Sequence, residues 1–326
     1  MSGDQDKPQL HVPARTLPVP LHVSPQLQDV LCAPGFSLPP FPALSDKEGW
    51  RAHAIASDAI LLETVKWQLE GVRADVREIR EGDALAYDVR PEGVSDNDRR
   101  VMLDIHGGAL LMGADEVCRA MAVGLAGRMG CRVVAVDYRM PPDHPYPVGL
   151  DDCIAIYRAL LRDHAPEEII VEGLSAGGNV APAMILKARD QGLPLPAAAV
   201  LLSPECDLTE TGDSFFANNG VDTALSPGLM PINELYADGE ELTHPYVSPL
   251  YGDFAKGFPP SLIAAGTRDL FLSNAVRLHR AMRKAGVAAD LHIIEAAHHG
   301  AMGADLPEIA ELDREIRAFC AAHWPQ

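Results

Sequence analysis

Ser175 lies in the run Gly173-Leu174-Ser175-Ala176-Gly177, which has the form G-x-S-x-G. An apolar stretch with strand character, Ile169 to Val171, precedes the run, and a helical pattern follows it. In that context the serine occupies a sharp strand-to-helix turn that exposes its hydroxyl group. The flanking glycines let neighbouring backbone approach without Cβ clashes. The pattern therefore predicts a nucleophile for acyl transfer.

A serine hydroxyl needs a base to take its proton and a carboxylate to hold that base in one tautomer. Two late strands lead into such groups. The first ends shortly before Asp269, and the second ends before His298-His299-Gly300. The chain order Ser, Asp, His is the one expected of α/β-hydrolases. Asp269 is therefore the predicted acid, with a helix N-cap as its competing role.

The histidine pair leaves the identity of the base open, because adjacent side chains point in different directions. Gly300 permits a tight turn and favours His299. A metal site is the rival interpretation of the pair. Adjacent histidines chelate one ion poorly, and no HExxH or CxxC motif completes a ligand set. We expect no metal and no other cofactor.

A second glycine-rich turn, His106-Gly107-Gly108, follows the apolar strand Val101 to Ile105. The carboxyl ends of parallel strands meet at one sheet edge, so this turn should lie beside the nucleophile. Paired glycines can direct bare N–H groups towards a developing oxyanion. The predicted donors are the N–H groups of Gly107, Gly108 and Ala176, and His106 is expected to support the loop through its ring nitrogens. A plain strand-to-helix turn is the alternative.

Strand and helix patterns alternate from about residue 74, which predicts an α/β fold with a mostly parallel sheet and helices on both faces. The predicted strands are Val76 to Arg80, Ala84 to Val89, Val101 to Ile105, Arg132 to Asp137, Glu168 to Glu172, Ala198 to Leu202, Ser261 to Ala265 and Asp290 to Glu295. The predicted helices between them are Glu116 to Met129, Pro147 to Asp163, Ala176 to Gln191, Ser273 to Ala285 and Pro307 to Ala322.

Two segments do not follow this alternation. Pro8 to Pro42 holds nine of the 27 prolines and is predicted to be an irregular arm, followed by amphipathic helices within Trp50 to Val72. The alternation also lapses between Leu208 and Pro249, where Ser214 to Asp238 mix Gly, Asn, Pro and apolar residues, as an insertion over the sheet would. We therefore predict an arm and cap helices in residues 1–73, and a catalytic domain in 74–326 that contains a cap insertion at about 208–240.

Composition limits the possible partners. With 27 basic and 46 acidic residues, the formal net charge is −19, which disfavours nucleic acids and anionic membranes as partners. No stretch is apolar enough to span a membrane, and the N-terminus has no signal-peptide pattern, so a cytoplasmic location is expected.

The cysteines lack CxxC spacing and are expected to be mostly buried thiols; they are Cys32, Cys118, Cys131, Cys153, Cys206 and Cys320.

Taken together, these motifs resemble the hormone-sensitive-lipase-like family of α/β-hydrolases, also called bacterial lipolytic family IV, from about residue 74 to the C-terminus. The resemblance rests on the runs 106–108, 136–139, 142–147, 173–179, 248–250, 266–269 and 299–300. It implies an eight-stranded sheet, a cap, hydrolysis of short acyl esters without a cofactor, and His299 as the base. The chain departs from the family pattern at Leu174, Ala109 and Ala301, among other positions, and none of these changes removes a catalytic group.

The predicted function is that of a serine carboxylesterase acting through an acyl-enzyme intermediate on a small-molecule ester. A lactone hydrolase, or an amide or carbamate hydrolase, would use the same residues. A non-catalytic small-molecule receptor is a further alternative, disfavoured because the candidate triad is complete. A homodimer is a possible assembly.

Overall fold

The computed structural model describes residues 10, 12–33, 40–225 and 228–325. Within them, eight strands form one sheet in the order β1-β2-β4-β3-β5-β6-β7-β8. The strands are β1 Ala74–Glu81, β2 Ala84–Pro91, β3 Val101–Ile105, β4 Arg132–Asp137, β5 Ile169–Leu174, β6 Ala198–Leu202, β7 Ser261–Gly266 and β8 Ala289–Ile294.

The sheet has the mixed pairing of an α/β-hydrolase. The strand β2 pairs antiparallel with β1 and β4, and the other neighbours are parallel. The predicted strands differ from the observed ones by at most two residues at either end. The central parallel strands β3, β5 and β6 are buried almost throughout and, apart from Asp104 and Glu172, carry no charged or polar side chain, as strands covered on both faces require. The predicted fold class is confirmed.

Helices precede the sheet in the chain and then alternate with its strands. They are α1 Pro25–Cys32, α2 Lys47–Val65, α3 Glu116–Met129, α4 Val148–Asp163, α5 Gly177–Asp190, α6 Ser214–Ala217, α7 Met230–Ala237, α8 Leu272–Lys284 and α9 Pro307–His323. Pro182 lies inside α5, which continues through it. The five helices predicted between strands are confirmed, with boundaries within one residue.

The prediction that Pro8 to Pro42 is irregular is wrong for α1. The hydroxyl oxygen of Ser24 accepts the N–H of Leu27, and Pro25 occupies the first turn, where its missing N–H costs nothing. Leu27 and Leu31 are buried in the core on one face of the sheet. Proline thus starts this helix rather than preventing it. Residues 8, 9, 11 and 34–39 of the predicted arm lie outside the described residues.

One apolar cluster joins four separate parts of the chain. Its buried members are Trp50, Leu111, Phe215, Leu229, Ile232, Leu270 and Phe271. They come from α2, from the 106–112 turn, from the 208–240 insertion and from the loop after β7. The insertion and the N-terminal helix therefore pack against the loop that carries Asp269.

The cysteines lie mostly in the core, as predicted. Five of the six cysteines are buried free thiols, and Cys32 is an exposed free thiol. In the described part of the chain, no helix combines the length and the apolar character needed to cross a bilayer.

Candidate active site

Ser175 follows β5 in a left-handed backbone conformation, with φ of +58°. Its N–H donates to the carbonyl of Leu202 at 2.9 Å, and its carbonyl accepts the N–H of Glu205 at 3.0 Å. These bonds to the end of β6 hold a backbone conformation that non-glycine residues rarely adopt. The helix α5 begins two residues later, so its positive N-terminal end lies beside the serine.

The 106–108 turn lies against Ser175, because β3 and β5 are paired with Ile105 opposite Gly173. A Cβ on Gly107 would lie 2.9 Å from the carbonyl oxygen of Leu174, and one on Gly108 would lie 1.9 Å from that of Met112. Gly108 also has φ of +132°, so no larger residue fits there without movement of the backbone.

The three predicted oxyanion donors are unengaged. The N–H groups of Gly107, Gly108 and Ala176 donate no hydrogen bond to any other described residue. An unpaired backbone N–H is costly unless water or a ligand accepts from it. Three such groups near one serine hydroxyl are suited to bind an oxyanion.

His106 supports the turn with one ring nitrogen rather than two. Its Nδ1 lies 2.8 Å from the carbonyl of Gly107, and its ring stacks on Tyr138 at 4.3 Å. The hydroxyl of Tyr138 donates in turn to the carbonyl of His106 at 3.0 Å. The Nε2 atom is buried without a partner among the described residues, and burial lowers the pKa of this histidine, which keeps the ring neutral.

His299 joins the serine to the acid. Its Nε2 lies 2.9 Å from the Ser175 hydroxyl, and its Nδ1 lies 3.4 Å from a carboxylate oxygen of Asp269. The edge of the Phe271 ring packs against the imidazole at 4.9 Å between centroids. The structure therefore places His299 between Ser175 and Asp269, which is the arrangement of a Ser-His-Asp triad.

His298, the other member of the pair, has different partners. Its Nδ1 accepts the N–H of Gly300 at 3.0 Å and lies 3.9 Å from the carboxylate of Asp222. Burial lowers its pKa. No hydrogen bond links it to Ser175 among the described residues.

The charges in the site oppose the cost of burial. Burial alone would raise the pKa of Asp269, but hydrogen bonds from His299, Ser203 and the N–H of Phe271 hold it below its ordinary value. Burial would also lower the pKa of His299, yet the carboxylate of Asp269 outweighs that effect and raises it. A fixed carboxylate thus stabilises the imidazolium that forms when the histidine takes a proton.

Sequence reasoning missed two residues that hold the site. The Ser203 hydroxyl, at the end of β6, donates to the Asp269 carboxylate and lies 2.6 Å from Nδ1 of His299. Asp222, in the 208–240 insertion, accepts the N–H groups of Leu270 at 2.8 Å and His299 at 3.2 Å. The position of Ser203 at the edge where strands end was a usable signal. Nothing in the local sequence around Asp222 indicated its partners.

Glu205 places another carboxyl group near the histidine. Burial raises its pKa to about 8, while the nearby His299 acts in the opposite direction. Its Oε2 has no hydrogen-bond partner among the described residues. The side chain is therefore largely protonated at neutral pH.

One group of side chains has metal-ligand composition. The ligand atoms of His106, Cys118 and Asp137 lie within 4.8 Å of one another. Burial keeps the pKa of Cys118 well above its ordinary value, and the carboxylate of Asp137 already accepts the N–H of Asp115 at 3.1 Å. Because a thiol binds metals as the thiolate, these residues are poorly prepared to hold an ion.

A family model described as alpha/beta hydrolase fold matches residues 102–303, the part of the chain that contains all of these groups. The chain belongs to the α/β-hydrolase fold family. Curated relatives include an acetyl-hydrolase of Streptomyces hygroscopicus, 36% identical over 63% of this chain and 68% of that protein. An esterase of Acinetobacter venetianus is 35% identical over 58% of this chain and 63% of its own length. The chain thus spans about two thirds of these relatives.

Solved α/β-hydrolase structures match over more of the chain. A structure described as an esterase E25 has a TM-score of 0.88 and 31% identity, covering 97% of this chain and 99% of that one. An esterase from the bacterial hormone-sensitive lipase family has a TM-score of 0.75 and 29% identity, covering 93% and 99%. These similarities place the chain among the hormone-sensitive-lipase-like members of the family, as the sequence motifs predict.

Proposed function

We propose that the protein is a serine carboxylesterase with Ser175 as nucleophile, His299 as general base and acid, and Asp269 as the carboxylate that orients His299. The observation that carries the proposal is the 2.9 Å contact between Nε2 of His299 and the Ser175 hydroxyl, with Asp269 on the far side of the ring. An isolated serine hydroxyl is a weak nucleophile at neutral pH, and this arrangement supplies the base it needs.

The reaction follows from these positions. Ser175 attacks the ester carbonyl while its proton passes to Nε2 of His299. The N–H groups of Gly107, Gly108 and Ala176 bind the oxyanion, where each such donor typically contributes about 10²- to 10³-fold in rate. His299 then protonates the departing alcohol, and water hydrolyses the acyl-enzyme by the reverse transfers. His106 positions the donor loop and takes no part in the proton transfers.

The cap is proposed to consist of the N-terminal helices and the 208–240 insertion, with residues 74–326 as the catalytic domain. The insertion is bonded to the acid loop: the Asn218 amide donates to the carbonyl of Asp269 at 2.8 Å, and Ser214 and Ser273 exchange two hydrogen bonds. We propose that this cap limits the acyl group to short chains, in keeping with relatives named as an acetyl-hydrolase and esterases.

Turnover of nitrophenyl esters with acyl chains of two to twelve carbons tests both the esterase activity and the preference for short acyl chains. We expect a maximum at or below about six carbons, because a closed pocket discriminates single methylene groups by about 1–3 kcal/mol. A maximum at ten carbons or more would contradict the short-chain proposal. Faster hydrolysis of lactones or amides in the same panel would replace the ester assignment while keeping the same residues.

Three variants test the assigned roles. Ser175→Ala and His299→Ala should each abolish turnover, whereas His298→Ala should retain a measurable kcat. Circular dichroism and thermal unfolding serve as controls for folding. Turnover by Ser175→Ala at the wild-type rate would rule out the mechanism, and loss of turnover only in His298→Ala would move the base to the other histidine.

A cytoplasmic location and a homodimer remain predictions. The free thiols of all six cysteines suit a reducing compartment. Fractionation of the native host and sedimentation velocity of the purified chain would test the location and the assembly.

A further inference from the structure

Ser203 occupies the junction between the acid and the base. It follows β6, is fully buried, and lies in a left-handed backbone conformation with φ of +42°. Its N–H donates to the carbonyl of Ala264 on β7 at 2.7 Å. Two neighbouring strands thus fix its backbone, and its hydroxyl faces both Asp269 and His299.

The hydrogen-bond roles at this junction have one consistent assignment when Asp269 is ionised. The carboxylate only accepts, so the Ser203 hydroxyl donates its proton to Asp269. Its oxygen is then an acceptor 2.6 Å from Nδ1 of His299, which must carry a hydrogen to fill that bond. The direct contact between Nδ1 and Asp269 is longer, at 3.4 Å.

We propose that Ser203 is a positioning residue that, together with Asp269, holds the Nδ1–H tautomer of His299 and so leaves the Nε2 lone pair free for the Ser175 proton. In the other tautomer Nδ1 would carry only a lone pair, and that lone pair would face two acceptors, the Ser203 oxygen and the Asp269 carboxylate, with no proton between them. During acylation only the Ser175 proton moves, from its oxygen to Nε2. The protons on Nδ1 and Ser203 stay on those atoms.

The size of the effect is bounded by known cases. Loss of the correct tautomer in a serine protease costs about 10⁴-fold in kcat. In metal sites, removal of the residue that hydrogen-bonds and orients a metal-binding histidine typically costs about 10- to 100-fold in metal affinity or activity. Since Asp269 remains beside Nδ1 when the hydroxyl is removed, we expect the smaller range, with little change in KM because Ser203 does not reach the substrate.

A crossed pair of variants separates the hydroxyl from the backbone. Ser203→Gly removes the hydroxyl but suits a positive φ, whereas Ser203→Thr keeps a hydroxyl and adds a methyl group that crowds this conformation. We expect Ser203→Thr to be less stable yet to have the higher kcat. A structural role alone predicts the reverse order, with Ser203→Gly the more active variant.

Ser203→Ala provides a second hydroxyl-free variant if Ser203→Thr does not fold, and it should match Ser203→Gly in kcat. The control is Ser261→Ala, which removes another buried serine hydroxyl, bonded to the carbonyl of Pro259 at 3.0 Å. Its kcat should equal that of the wild type. Wild-type kcat in both Ser203→Gly and Ser203→Ala would overturn the proposal.

The tautomer itself can be measured. In protein labelled with ¹⁵N-histidine at pH 9, the His299 resonances, assigned by their loss in His299→Gln, should report protonated Nδ1 in the wild type and a mixture of tautomers in Ser203→Gly. An unchanged Nδ1–H tautomer in Ser203→Gly would contradict the proposal.

This inference rests on the proposed function, and the two can fail separately. If Ser175→Ala is inactive while Ser203→Gly is fully active, the esterase mechanism stands and the role of Ser203 is wrong. If Ser175→Ala keeps its activity, the mechanism itself is wrong. Inactivation by a sulfonyl fluoride, which reacts with the activated Ser175, should slow by the same factor as kcat in Ser203→Gly.

Discussion

Single residues outside the catalytic motifs connect the insertion to the reacting groups. The carboxylate of Asp222 is fully buried, and its two oxygens accept four backbone N–H groups. Two of these N–H groups belong to Ala224 and Leu225, which follow Asp222 closely in the insertion. The other two belong to Leu270 and His299. One side chain therefore ties the acid loop and the base loop to the same point.

We expect Asp222→Asn to lower both stability and kcat/KM. An amide has one acceptor oxygen, so one pair of N–H groups loses its partner, at about 1–3 kcal/mol for each buried donor. Asp222 also helps to raise the pKa of His299. Removal of its charge should lower that pKa, and because the neutral imidazole is the active form, the acid limb of kcat/KM should move to lower pH.

The pH dependence of kcat/KM measures this shift. Asp238→Asn, which removes an exposed carboxylate in the same insertion, should leave the profile unchanged. A profile for Asp222→Asn that superimposes on that of the wild type would show that Asp222 does not act on His299.

At the scale of elements, the central strands carry a buried pair of acids. Asp104 on β3 lies opposite Glu172 on β5, three residues before the nucleophile. Burial raises the pKa of both, and each carboxyl group also shifts the pKa of the other. Two buried carboxyl groups in contact cannot both ionise cheaply, so one of them keeps its proton.

Glu172→Gln should therefore flatten the dependence of stability on pH. In the wild type the folded state holds a proton that the unfolded chain releases above about pH 4.5. The unfolding free energy then falls with rising pH by up to about 1.4 kcal/mol per pH unit for each such proton. Glutamine can donate to Asp104 without titrating, so the variant should gain stability relative to the wild type at alkaline pH.

Urea unfolding between pH 5 and pH 9 measures this difference, with the exposed Glu295→Gln as the control. Glu205, with a pKa of about 8, should leave some dependence of the unfolding free energy on pH in every variant. Parallel curves for Glu172→Gln and the wild type would refute the shared proton.

At the scale of the whole molecule, the N-terminal part of the chain supports the site from a distance in sequence. Trp50 in α2 is fully buried, stacks on Phe41 at 5.6 Å, and donates its indole N–H to the carbonyl of Ala43. It belongs to the apolar cluster that contains Leu270 and Phe271. The ring of Phe271 contacts His299, so packing around Trp50 extends to the base.

Trp50→Ala should destabilise the protein by about 3–5 kcal/mol, the usual cost of truncating a buried aromatic residue. It should also lower kcat/KM, because the cavity frees Phe271 to move. Ile55→Ala on the same helix, where the side chain is 71% exposed, should change neither property. Chemical denaturation and ester turnover measure both, and equal stability of the two variants would contradict the packing argument.

The sequence by itself determined most of the sheet and the identity of the reacting groups. Strand and helix periodicity are local patterns, so they placed β3, β4 and β6 at their observed boundaries. Parallel strands end at a common edge, and that rule was enough to group Ser175, Asp269 and the histidine pair. The paired glycines at positions 107 and 108 also indicated the turn after β3, because glycine adopts backbone conformations that other residues rarely adopt.

Only the tertiary structure decided how those groups are joined. Which histidine meets Ser175 depends on the rotation of two adjacent side chains, and His299 alone has Nε2 within 2.9 Å of the hydroxyl. Ser203 and Asp222 reach the site across 66 and 77 residues of sequence, separations at which local patterns carry no signal. Burial and the hydrogen bonds and charges around it, which together shift the pKa values of Asp269, His299 and Glu205, are likewise properties of the packed chain and not of any one segment.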